Sequence, residues 1–171
     1  MSGVWAHPQL KGQNLFVRTI LGGWQSNFIY TSQVGTPLNV LSGVDNSLSG
    51  VGFDFPDLTG TSWHLPNDRS EQAKILEWFN TAAFRQNAVG TFGTGGRNQL
   101  RVPGMWDLDY SLFKSFAIKE RLKLQYRSEF FNVFNHTNLG APNSTVSSAT
   151  FGRITSAGTP RQLQMSLKLV F

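Results

Sequence analysis

The sequence predicts an all-β chain, an antiparallel sheet of the membrane-spanning kind, on three observations. Five segments alternate apolar and polar residues with a period of two, the mark of a sheet whose faces meet different surroundings. The composition is rich in aromatics and glycine (14 Phe, 5 Trp, 3 Tyr, 17 Gly) but only 15% charged, where a soluble domain carries about 25%. The connections between segments are short and long in strict alternation, as when short turns close one end of a sheet and long loops the other.

The first segment, 12–21, is the weakest strand. The second, 24–34, sets Trp24, Phe28 and Tyr30 against Gln25, Asn27 and Thr31 after a short Gly22-Gly23 connection. In the third, 106–116, Trp106, Leu108, Tyr110, Leu112 and Phe116 share one face, with Asp107, Asp109, Ser111 and Ser115 opposite. Lys114 interrupts the apolar row, which is tolerable only near a water interface where the ammonium can snorkel. The fourth, 120–134, places Leu122, Leu124, Tyr126, Phe130 and Phe134 against Lys123, Gln125, Arg127 and Glu129. The last, 161–171, alternates Leu163, Met165, Leu167, Leu169 and Phe171 with Gln162, Gln164, Ser166 and Lys168. A short turn is expected at 117–119 and long loops at 35–105 and 135–159, with at most one short helix, Ser70 to Phe79.

The chain therefore reads as part of an antiparallel transmembrane β-barrel. Trp24, Tyr30, Trp106, Phe116 and Phe134 fall near strand ends, where aromatic belts mark the two membrane interfaces. Asp107, Asp109, Arg127 and Glu129 fall on the polar, lumen-facing side. If the hairpin turns near Ile118, Asp109 and Arg127 stand opposite one another, with Tyr110 and Tyr126 pointing outward.

No run of apolar residues is long enough for a helical membrane span. Residues 1–10 lack a basic cluster followed by an apolar stretch, so the expectation is that a signal peptide and other front parts belong to a longer protein. Zero cysteines exclude thiolate metal sites and disulfides. The net charge of +5 is spread without the dense basic patch of a nucleic-acid binder.

No constellation for catalysis, cofactor or metal emerges, and the chain is expected not to be an enzyme. The stretch from Gly90 to Arg97 is glycine-rich but lacks the Lys-Ser/Thr ending of a phosphate loop. His7, His64 and His136 are far apart, without ligand spacing. Asp107 and Asp109 suit ion pairs along a wet lumen better than paired acid–base carboxylates. Asn135 and Asn143 begin glycosylation triplets of the sort that arise by chance. No Gly-x-Ser-x-Gly elbow occurs.

Residues 76–171, and more loosely 12–40, resemble the C-terminal barrel region of TonB-dependent outer-membrane receptors, in particular the Oar-like group with a carboxypeptidase-regulatory-like domain. The matching stretches include Gly22-Gly-Trp-Gln25, Trp78-Phe-Asn80, Gly95-Gly-Arg-Asn98, Asp109-Tyr-Ser-Leu-Phe-Lys114, Arg127-Ser-Glu-Phe-Phe-Asn-Val-Phe-Asn-His-Thr-Asn138, Phe151-Gly-Arg-Ile154 and Lys168-Leu-Val-Phe171. The resemblance implies about five C-terminal strands of a 22-stranded barrel in the bacterial outer membrane. It implies a plug and TonB coupling through N-terminal parts outside this sequence, and import of a scarce or bulky solute. It also implies that Phe171, with Leu169 and Leu167 before it, is the signal read by the barrel assembly machinery. No catalytic residue follows from it. An isolated fragment is expected not to transport. Loop residues Trp63, His64, Trp78 and Arg85 are candidates for touching the solute. The alternative reading is a complete small β-barrel or β-sandwich binding module with no transport role, which requires three further strands within 35–105.

Overall fold

Alternating segments do form strands, but the molecule also contains elements that lack such alternation. The computed structural model describes all 171 residues. In chain order the elements are β1 (Ser2–Ala6), α1 (Leu15–Leu21), β2 (Gln25–Gln33), β3 (Pro37–Leu38), β4 (Asp57–Leu58), α2 (Glu71–Leu76), a 3-10 turn (Thr81–Ala83), β5 (Phe84–Arg85), β6 (Leu100–Arg101), β7 (Met105–Lys119), β8 (Leu122–Phe131) and β9 (Gln162–Val170).

The chain divides into two units. The first comprises Met1–Gln33, Trp106–Thr137 and Thr159–Phe171. It holds a five-stranded sheet in the order β1-β2-β7-β8-β9, in which β1–β2, β7–β8 and β8–β9 pair antiparallel. The ladder aligns Leu124 with Phe116 and Leu169, and Phe130 with Tyr110 and Leu163. Gln125 lies between Ser115 and Lys168 on the other face. One face is thus a continuous apolar row from strand to strand. The sheet does not close on itself, so β1 and β9 are open edges.

Three expectations fail in this unit. Residues 12–21 contain the helix α1 rather than a strand, because Leu15, Phe16, Val17, Ile20 and Leu21 follow no period of two and Asn14 caps them: its Oδ1 accepts the Val17 amide at 2.9 Å. The sheet's outermost strand is instead β1, whose five residues are too few to stand out in the sequence. The β7–β8 turn falls at Glu120–Arg121, not at 117–119, after a register irregularity between Ala117 and Lys119. That moves the pairing by four residues. Arg127 now faces Phe113, and Asp109 is not its partner. An even shift keeps every side chain on its expected face.

The second unit comprises Val34–Met105 and Asn138–Gly158, so the two long connections fold together. Its core is Val40, Phe79, Ala83, Phe84 and Leu100, with Trp63, Trp78 and Phe151 packed on it. Phe79 meets Phe84 and Phe151 edge to face, at ring centroids 5.7 and 5.3 Å apart. Two-residue ladders, β3–β6 and β4–β5, and isolated bridges such as Leu41–Thr145 tie the segments together. These ladders are far too short to close a small barrel or a sandwich, so the eight-stranded alternative does not form. The expectation of at most one helix is also exceeded: α1 and α2 both form, with a 3-10 turn besides. α2 is shorter than 70–79, capped by the Ser70 hydroxyl on the Ala73 amide and ended by Arg69, which donates to the Ala73 and Glu77 carbonyls.

Candidate functional site: a two-faced membrane wall

The site is a surface rather than a pocket. On β9, Leu163, Met165, Leu167 and Leu169 are all more than half exposed, and Phe171 more so. Four large side chains in a row left in water would be an aggregation hazard for a soluble protein. Against hydrocarbon they need no cover. The row continues across β8 through Leu122, Leu124, Tyr126 and Phe130, and across β7 through Leu108, Tyr110, Leu112 and Phe116.

Of the five aromatic residues expected in the belts, Trp24, Phe116, Trp106 and Phe134 lie toward the ends of this row. At the end near the Glu120–Arg121 turn, Trp24 stands edge to face with Tyr126 at 5.9 Å, and Phe116 lies under the Lys114 ammonium at 5.1 Å. At the opposite end Trp106 stacks on His136 at 4.3 Å and meets Phe134 at 5.9 Å. Tyr30 lies within β2, on the same face as Ser26, whose hydroxyl meets that of Tyr110 at 2.8 Å. Trp106 and Phe116 are separated by about 33 Å of strand at 3.3 Å per residue, or about 25 Å of depth at a strand tilt near 40°. That matches the apolar band of an outer-membrane barrel.

The opposite face is polar. Arg127 pairs with Glu129 two residues along its own strand at 2.8 Å, and its guanidinium lies over the Phe113 ring at 4.5 Å. The predicted cross-strand pair with Asp109 is replaced by this arrangement. Asp109 instead accepts the Asn132 amide at 3.0 Å, where β8 ends. Asn132 and Asn135 adopt left-handed backbone, both with φ 51°, which Asn tolerates better than other side chains and which turns the chain out of the sheet. One oxygen of Asp107 is buried without a hydrogen-bond partner. Gln25, Ser115, Gln125, Arg127 and Lys168 border an open recess of about 560 Å³ on this face. It offers donors and acceptors for water or a polar solute.

In the loop unit, Trp63 and Trp78 are half-buried against the core, and the Trp78 indole donates to the Arg101 carbonyl at 2.7 Å. Only His64 and Arg85 of the four candidate solute residues are exposed, and Arg85 lies 3.8 Å from Asp57. The glycine-rich stretch packs on β4: the Gly95 amide donates to the Pro56 carbonyl, and a Cβ at Gly93 would collide with the Phe55 carbonyl. Close backbone approach explains its glycines. The Asp54 carboxylate, missed in the sequence, accepts from the Ser47 amide and hydroxyl, both at 2.7 Å, and from Asn87 at 3.2 Å. The Ser47 bonds hold its pKa below the ordinary aspartate value.

An antiparallel sheet with one apolar face, one polar face and aromatic rings toward both ends is consistent with an outer-membrane barrel domain. The comparison with known families agrees: residues 1–164 match the model of the outer membrane beta barrel domain, and the chain belongs to that family. Its place is the outer membrane. No curated protein and no solved structure matches the chain.

Proposed function

We propose that the chain forms part of the barrel wall of a TonB-dependent receptor of the Oar-like type, importing a scarce or bulky solute. The observation that carries this reading is the unequal build of the connections between strands. A two-residue turn joins β7 to β8, while the two long connections between strands fold into a unit with its own aromatic core. A barrel that served only as an anchor has no use for so large a folded loop unit, whereas a receptor captures its solute with such loops.

The open edges support the same reading. Unpaired N–H and C=O groups in lipid cost several kcal/mol each, so β1 and β9 call for neighbouring strands, about 22 in the complete wall if the resemblance holds. The recess beside Arg127 and Lys168 then lines the interior. Phe171, Leu169 and Leu167 serve as the assembly signal, TonB acts through parts of the receptor outside this sequence, and the role of the wall is not catalytic.

An antibody raised against the chain, used on outer membranes of the producing bacterium, tests this. The expected result is a heat-modifiable species several times larger than 19.0 kDa that co-isolates TonB. A free 19.0 kDa outer-membrane species without TonB would overturn it.

A further inference from the structure

The helix α1 has no buried residue, and Leu15 and Phe16 are 69% and 75% exposed, with Ile20 and Leu21 beside them. A seven-residue helix this apolar does not persist in water on its own propensity. It is held by a lysine. Lys114, in the outward row of β7 and only 6% exposed, donates from Nζ to the carbonyls of Ile20, at 3.1 Å, and Gly22. Those carbonyls are the electronegative C-terminal end of α1. The ammonium also lies over the Trp24 and Phe116 rings at 5.3 and 5.1 Å, and the Trp24 indole donates to the same Ile20 carbonyl at 2.8 Å. A cation in the lipid-facing row is thereby satisfied by the helix, and the helix is fixed beside that row.

The surroundings of α1 are basic. Arg18 lies on α1 and Lys11 just before it, and Lys119 and Arg121 stand at the hairpin end five to seven residues beyond Lys114; all four are exposed, with Glu120 the acid among them. Apolar residues continuous with a lipid-facing surface, bordered by aromatic rings and positive charge, fit the headgroup layer of a membrane.

We propose that α1 is an interfacial helix, seated among the phospholipid headgroups of the periplasmic leaflet and pinned there by Lys114; the choice of leaflet rests on the receptor reading above, in which the short Glu120–Arg121 turn faces the periplasm. The chain has no cysteine, so single cysteines replacing Phe16 or Leu167 can carry a fluorophore. In outer membranes isolated from producing cells, phosphatidylcholine bearing a nitroxide near the headgroup or deep in the acyl chain is the quencher. At Phe16→Cys the shallow nitroxide is expected to quench roughly twofold more than the deep one, as for a helix buried 5–10 Å. Lys114→Met should abolish that quenching while leaving Leu167→Cys unchanged, and Lys114→Arg should retain it. Quenching at Leu167→Cys but not at Phe16→Cys, whether the latter is open to aqueous iodide or covered by protein, overturns the interfacial helix alone. Absence of quenching at both positions overturns the lipid-facing row and the helix together.

Discussion

Asp54 shows how much structure a single side chain holds in the loop unit. Its carboxylate organises Ser47 and Asn87, and its pKa is lowered chiefly by the Ser47 hydroxyl and amide. A lowered folded-state pKa means that the ionised form is the stabilising one. Its contribution is complete above the ordinary value of 3.8 and is lost as the pH falls through the lower folded value. Limited proteolysis between Asp45 and Asp54 should therefore accelerate below that range in the native protein, and Asp54→Asn should be cleaved readily at neutral pH, with little further change on acidification. Phe79, only 2% exposed at the centre of the aromatic cluster, provides a second test. Phe79→Ala should destabilise the loop unit by about 3–5 kcal/mol, measured by urea-dependent proteolysis. Asp54 did not stand out in the sequence, since an isolated Asp in a glycine- and serine-rich stretch has no periodicity to mark it, and Phe79 was legible only as part of the Trp78-Phe-Asn80 resemblance, not as a core residue. Their partners come from segments tens of residues away.

At the scale of elements, β9 carries the clearest asymmetry. Met165→Arg, level with Leu112 midway between the Trp106 and Phe116 rims, places a cation in the outward row and should cost about 2–4 kcal/mol, read as a shift in urea midpoint for the membrane-inserted protein. Ser166→Arg, one residue away on the polar face, should shift it little. Equal shifts for the two would contradict the assigned faces. The strands that alternate strongly, in 24–34, 106–116, 120–134 and 161–171, were legible because each face meets one kind of surroundings along its length. The segment 12–21 was misread because its apolar residues cluster instead of alternating, and the Asn14 cap with the Gly22 stop marks a helix. Register was legible only to the parity of the pairing. Faces follow from composition, but the turn that sets alignment was displaced from 117–119 to Glu120–Arg121, and Arg127 exchanged Asp109 for Glu129 and Phe113.

For the molecule as a whole, the five-stranded sheet has an apolar and a polar face, which we propose meet membrane and water, and the long connections fold around a separate aromatic core. Composition signalled the first of these, because so few charges with so many aromatics cannot cover a wetted surface. It did not signal the second, since a core built from 34–105 and 138–158 depends on contacts between distant segments. The central claim is the division of the sheet. Single cysteines placed in turn from Leu163 to Val170, in outer membranes, can be probed with a charged thiol reagent from the aqueous side and a nitroxide lipid from the bilayer. The account predicts that 163, 165, 167 and 169 respond to the lipid and 164, 166, 168 and 170 to the charged reagent. A uniform response along the strand, or the reverse alternation, would contradict it.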